Sequence, residues 1–480
     1  MGKLYEKLNE YGSSDYYPYH MPGHKRQLAG DMPEKVIKSD ITEIDGFDNL
    51  HQAEGILQEL QEKASALYGA EETFYLINGS TGGILSAISA VLPVGGHILM
   101  ARNSHKSAYH ACYLRNLTIS YLYPSYLEEY DICEAICAKQ VEQALEKNPD
   151  IGAVFLVSPT YEGRIANIRE IARVVHKKGI PLIVDEAHGA HLGLAENFPA
   201  NSCQLGADIV IHSVHKTLPA MTQTALLHVN GKLINRNQLK RFLHIYQSSS
   251  PSYVLMASID NSLEIVEKQG KELFAGFREN YCLLLEKLRA CKHLRFLPLE
   301  EGKQDIGKLV ICSKGTSLSG QDIYDMLLKQ YHFQMEMAAG TYCLAMFTIS
   351  DGKHAYEQLA KALLEIDAGI EVPDNVVGKT EKQKDNYVNE VAVSQIALVP
   401  LSKAWDMDWE EIPLCDAVGR AVGEFINLYP PGVPLLVPGE ILQKEHYEQL
   451  TVYKKQGLTI QGVEAQAPFL IKVLKVKEMR

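Results

Sequence analysis

The chain has 480 residues, 46% hydrophobic and 22% charged, which is the make-up of an ordinary soluble globular protein with length for two or three domains. A formal charge of −12, from 47 basic and 59 acidic residues, argues against a nucleic-acid partner, and no basic block interleaves with aromatics to follow a phosphate backbone. Nine scattered cysteines without a CxxC pair speak against a disulfide framework or a zinc ribbon. No apolar run is long enough for a bilayer and the first residues lack a signal-peptide stretch, so a cytoplasmic protein with no membrane partner is expected.

Residues 1–50 are polar and rich in turn signals, and read as an irregular N-terminal arm. From about residue 51 short apolar, β-branched runs at 73–77, 97–101, 118–123, 153–158, 181–185 and 207–212 alternate with helical patterns. One such pattern carries Ile168, Ile171, Ala172 and Val175 at three- and four-residue spacing and stops at Gly179. This alternation predicts an α/β domain over 51–260, a mostly parallel sheet with helices on both faces. Residues 261–370 read as a smaller α+β unit, with helices around 260–290 and 320–330 and strands near 307–312 and 342–348. The charged stretch 371–390 reads as a linker, and 391–480 as a C-terminal unit.

Parallel sheets place ligand sites at the carboxyl ends of their strands, and the chemically capable residues of this chain cluster there. After 73–77 comes NGSTGG (78–83), small residues that open a helix. They suit a phosphate held at the positive end of the helix dipole, or equally a serine cap on a tight turn. After 181–185 comes Asp185-Glu186-Ala187-His188, a DEAH string that lacks the upstream phosphate loop a helicase needs. His188 and His191 lack further ligands at metal spacing, so no metal site is expected. After 207–212 comes Ser213-Val214-His215-Lys216-Thr217. A lysine at a buried strand end is costly without a function or a partner, and Lys216 follows Asp185 by 31 residues, on the next strand. Together they offer an acid for a pyridine nitrogen, an amine for a Schiff base and a phosphate cradle at Ser80.

The strings MPGHK (21–25), TEIDGFDNLH (42–51), NGSTGG (78–83), ARNSHKS (101–107), PTYEG (159–163), VDEAHGAH (184–191), SVHKTLPA (213–220), SSSPSY (248–253) and YPPGVPLLVPGE (429–440) run in order through nearly the whole chain. They resemble the ornithine/lysine/arginine decarboxylase family in its short bacterial form. The resemblance implies a fold-type-I (aspartate-aminotransferase-like) large domain, pyridoxal 5'-phosphate (PLP) as cofactor and a homodimer with shared active sites. It makes Lys216 the Schiff-base lysine and Asp185 the partner of the pyridine nitrogen, with Ala187 beneath the ring and His105 on its other face. Ser80, Thr81, Gly82, His188, Ser213 and His215 join the cofactor site, with Ser249 or Ser250 reaching in from the partner subunit.

The function implied is decarboxylation of a basic L-amino acid, arginine first and then lysine or ornithine, to agmatine or a diamine in polyamine metabolism. The alternatives are another fold-type-I reaction, such as transamination, or a catalytically silent regulatory relative. The chain departs from the family in three ways. It begins almost at the catalytic arm, without a response-regulator-like domain, so a decamer is not expected. Glu336 is kept as a candidate reader of the substrate's distal cation, but Ala339 stands where Asp is common. His212 replaces Gln or Thr, with a small effect expected.

Overall fold

The computed structural model describes residues 1–27, 30–370, 396–429 and 432–475, so the linker expected at 371–390 lies outside the described residues. A seven-stranded sheet is built from β1 (Glu72–Leu76), β2 (His97–Ala101), β3 (Thr118–Leu122), β4 (Ala153–Val157), β5 (Leu182–Asp185), β6 (Ile209–His212) and β7 (Ala225–Val229), in the order β1-β7-β6-β5-β4-β2-β3. The pairings are parallel except those of β7, which runs against both its neighbours. β7 is the strand that sequence patterning did not predict. Its residues, ALLHV, are all buried and mostly unbranched at Cβ, so neither alternation nor β-branching marks them.

Alternate residues of the central strands serve two cores. Leu182 and Val184 pack with the helices Ala138–Lys147 and Ile168–His176 on one face, and Ile183 packs with the helices Gly79–Val91 and Lys106–Leu114 on the other. The helix Gly79–Val91 lies close against the sheet at Gly83. A Cβ there would stand 2.6 Å from Leu76 Cδ1 and 3.2 Å from Ile211 Cγ2. This approach sets the helix N-terminus beside the carboxyl ends of β1 and β6.

The smaller unit is a four-stranded antiparallel sheet of β8 (Arg295–Phe296), β9 (Lys308–Cys312), β10 (Met337–Ala338) and β11 (Tyr342–Met346), in the order β8-β9-β11-β10. The 36-residue helix Tyr253–Leu288 runs straight through the boundary placed at 260 and shares one core with both units. The start of the chain also differs from the expected irregular arm. Lys3–Gly12 is a helix whose Leu4 and Leu8 are fully buried with Met256, and Asp260 accepts the Leu4 N–H at 2.7 Å. A ten-residue helix gains its stability from packing on a neighbour, which local patterning does not reveal.

In the C-terminal part, Ile426–Leu428, Pro434–Leu436 and Ile460–Gln461 form one sheet, and Trp409–Pro413 pairs with Leu470–Leu474 in another. Arg102, one residue beyond β2, holds this unit. Its Nη1 donates to the Pro434 carbonyl at 2.6 Å, and Nη2 donates to the Leu435 carbonyl and Glu440 Oε2, each at 2.9 Å. Both charges are buried. Among the described residues no helix is long and apolar enough to cross a membrane.

Removing one member of a buried ion pair leaves the other charged and unpartnered, at a cost of about 3–5 kcal/mol. Arg102→Leu is therefore expected to loosen the C-terminal unit by that amount. Both tryptophans, Trp405 and Trp409, lie in this unit, so urea unfolding followed by tryptophan fluorescence reads the loss directly.

Candidate active site

A cavity of about 600 Å³ opens at the carboxyl edge of the large sheet. It is lined by Ser80, Thr81, His105, Asp185, Ala187, His188, Ser213, His215, Lys216 and Glu336 from five separate stretches of chain. Ser80 and Thr81 occupy the first turn of the helix Gly79–Val91, which has no side-chain cap, so its amide dipole faces the cavity without a protein anion. Ser213, the residue after β6, has a buried Oγ without a partner among the described residues. His215 donates from Nδ1 to the Thr224 carbonyl at 2.9 Å. Gly82 does not line the cavity; it packs against Asn78 and the Tyr246 carbonyl.

Asp185 ends β5 and is buried, with Oδ1 accepting the Ala187 N–H at 3.1 Å. No cation lies within ion-pair distance of it among the described residues. Burial pushes its carboxyl up to about 6, opposed by the charge of Lys216. A buried carboxylate without an ion partner is what a cationic ring nitrogen would satisfy. Lys216 sits in the short helix Val214–Thr217 after β6, and burial lowers its ammonium from the ordinary value against the pull of Asp185 and Glu336. Its Nζ is 3.1 Å from His188 Nε2. His105 caps the helix Lys106–Leu114, its ring taking the Ser107 N–H at 3.2 Å. Burial, with Lys216 and Lys106 nearby, lowers its imidazole to about 4.

Glu336, just before β10, reaches the cavity and accepts a hydrogen bond from the Tyr161 hydroxyl. Ala339 lies in an adjoining smaller cavity with Glu162 and Tyr342, and Asn103, Tyr161 and Val433 line both spaces. Ser249 and Ser250 do not line the Lys216 cavity of their own chain; Ser250 faces a separate space with Asn78 and Gln223. His191 pairs with Asp305 at 2.8 Å, apart from His188. His212 lies behind the site, within 3.0 Å of His228 and 3.4 Å of Glu186.

Patterning did not single out several contributors. Tyr429 and Val433 enter from the C-terminal unit, and the buried Lys308, at the start of β9, lies 2.8 Å from His188 Nδ1. A lysine opening a strand carries no signal by itself. Tyr161 and Glu162 in the PTYEG string, and Tyr429 and Val433 in the YPPGVP string, could have been singled out there.

Residues 2–301 match the Orn/Lys/Arg decarboxylase major domain, and residues 382–464 match the C-terminal domain of the same family. The chain belongs to the Orn/Lys/Arg decarboxylase family. It is thus an amino-acid decarboxylase by class. It is 29% identical over 484 aligned residues to an arginine decarboxylase of Bacillus subtilis, covering 98% of this chain and 97% of the relative. It is 32% identical to the uncharacterized protein YaaO of the same organism, over 96% of this chain and 95% of that one. The fold matches the Francisella novicida lysine decarboxylase LdcF with a TM-score of 0.84 at 18% identity, over 99% of this chain and 81% of that structure. The fold-type-I architecture expected from the sequence is the one found.

With its pKa near 4, His105 is expected to stay uncharged through neutral pH. An unfolded histidine titrates near about 6.5. The stability His105 contributes is therefore complete above that value and is lost as pH falls through 4. Its imidazole proton resonance, assigned with His105→Gln, should not move between about pH 5.5 and 8.

Proposed function

We propose that the chain decarboxylates a basic L-amino acid with PLP, arginine first and lysine or ornithine after it, giving agmatine or a diamine for polyamine metabolism. One observation carries the reading: Lys216, the unpaired Asp185 carboxylate and the uncapped Ser80–Thr81 helix turn surround a single cavity. The full-length similarity to arginine decarboxylases supports the order of substrates.

The donor set fits the cofactor. The helix turn at Ser80 and Thr81, with Ser213 and His215, would hold a phosphate, and Lys216 would hold the cofactor's aldehyde carbon. When bound, PLP supplies an electron sink for the pair left on the substrate when carbon dioxide departs. Asp185 would keep a proton on the ring nitrogen, because an opposite charge close by favours the charged form. Ala187 and His105 are assigned to the two ring faces, and a neutral His105 adds no charge there. Glu336 is the acid assigned to the substrate's distal cation.

We read the assembly as a homodimer in the cytoplasm. Tyr16, Tyr17 and Tyr19 are 70%, 54% and 90% exposed on the N-terminal segment, a strip of aromatic surface suited to a second copy. Ser249 and Ser250 are assigned to the partner's phosphate.

Purified protein with PLP, supplied in turn with arginine, lysine, ornithine and neutral or acidic amino acids, should release the amine product from a basic substrate far faster than from any other. Turnover of a neutral or acidic amino acid alone would overturn the substrate class. Lys216→Ala should abolish the visible absorbance that PLP acquires on binding, whereas borohydride trapping at another lysine would remove Lys216 from its role.

Glu336→Gln should lower kcat/KM for the basic substrate about tenfold or more, the size of a lost charge-assisted bond of about 1.5–3 kcal/mol. A neutral analogue should be little affected. Equal losses on both would leave Glu336 as a shaping residue.

A further inference from the structure

Lys308 opens β9 in the smaller unit, yet it is only 1% exposed. Its Nζ lies 2.8 Å from His188 Nδ1, and the other ring nitrogen, Nε2, lies 3.1 Å from Lys216 Nζ. One buried imidazole therefore bridges two lysine amines. Burial and the two flanking lysines hold His188 far below the ordinary histidine value, so the ring is neutral and carries one proton. A neutral imidazole donates at one nitrogen and accepts at the other.

With one of the two lysines charged, two arrangements satisfy both bonds. In the first, the Lys308 ammonium donates to Nδ1, and Nε2–H donates to the lone pair of an uncharged Lys216. In the second, the Lys216 ammonium donates to Nε2, and Nδ1–H donates to an uncharged Lys308. They differ by the passage of one proton between the lysines: two N–H bonds break, two form, and no other reactant is needed.

We propose that Lys308 is a positioning residue that takes the proton from Lys216 through His188, and so keeps the Lys216 amine in its nucleophilic form. The proposal rests on Lys216 being the cofactor lysine.

With Asp185 engaged by the ring nitrogen, the acids left facing the two lysines would favour this direction. Glu336 acts on both amines, drawing each toward its charged form. Lys308 also feels Asp305 and Glu162, and the Tyr161 ring lies 5.5 Å from its Nζ. Lys216 has Asp185, which the ring nitrogen would engage, and the neutral His105. Burial lowers both ammonium groups from the ordinary lysine value, so neither is locked in its charged form. An uncharged Lys216 is what condensation with an aldehyde needs: its lone pair forms the new C–N bond, and water leaves.

The test is the pH dependence of PLP capture. Full-length chain freed of cofactor by dialysis is mixed with PLP across a pH series, and the rise of visible absorbance is timed. In Lys308→Met the midpoint of the rate profile should move up by about one pH unit or more, because Lys216 then keeps its proton to higher pH. Lys308→Arg, which always donates to His188 Nδ1, should keep the midpoint at or below that of the unmodified chain. A purely structural lysine would change the extent of capture in both variants without moving either midpoint, and an unmoved midpoint in Lys308→Met overturns the relay. Should the Met variant misfold by near-UV circular dichroism, the unmodified chain decides the matter. Nitrogen NMR of labelled histidine, with His188 assigned by His188→Gln, should show the proton on Nε2 at neutral pH. A proton on Nδ1 overturns the proposal. Failure of the unmodified chain to capture PLP at any pH would instead overturn the cofactor reading on which the relay rests.

Discussion

An amine that must attack a carbonyl has to be withheld from water, since in water it is an ammonium ion. Lys216, partly buried beyond β6, suits the role proposed for it, and its neighbours share the cost of that position. A buried amine is tolerated where neighbouring groups can take or share its charge. Here those neighbours come from distant stretches of chain: Asp185 from β5, His188 from the turn after it, and Glu336 and Lys308 from the smaller unit. None of these units would form the pocket alone.

The joints between units accordingly coincide with the joints of the site. Gly83 lets a helix rest against β1 and β6, which brings its uncapped N-terminus to the cavity. Arg102 and Glu440 fasten the C-terminal unit across the strand ends. Gly432, at a φ of +76°, then lies against the His105 ring, where a Cβ would stand 3.4 Å from Nε2. The left-handed backbone there suits glycine, and the Gly432 carbonyl accepts the Lys106 N–H at 3.2 Å.

Two acids stand at the outer part of the site. Glu336 faces the main cavity, and Glu162 faces the adjoining space beside Ala339, where its carboxylate accepts the Tyr342 hydroxyl at 2.9 Å. The loss of an acid at 339 thus does not strip that region of negative charge. Tyr161 touches both spaces, since its hydroxyl binds Glu336 and its ring meets His188 edge-on at 4.8 Å. The acid proposed to read the substrate and the imidazole proposed to relay the proton therefore both touch Tyr161.

The sequence alone determined the parallel sheet and the strand ends where chemistry collects. Buried parallel strands must be continuous apolar runs, and polar residues just beyond them stand out against that background. Asp185, Lys216 and the Ser80 turn were legible for this reason, and His105 through the resemblance of its string. What tertiary structure decided lay where the local pattern is silent. β7 is an apolar run that joins the sheet in the opposite direction, and Lys3–Gly12 becomes a helix by packing on Tyr253–Leu288. Lys308 is an ordinary lysine in sequence, and its meaning comes from a contact across 120 residues with His188. Hydrophobic periodicity records which face of an element is buried. It does not record which buried groups meet, because that depends on how separate units close on one another.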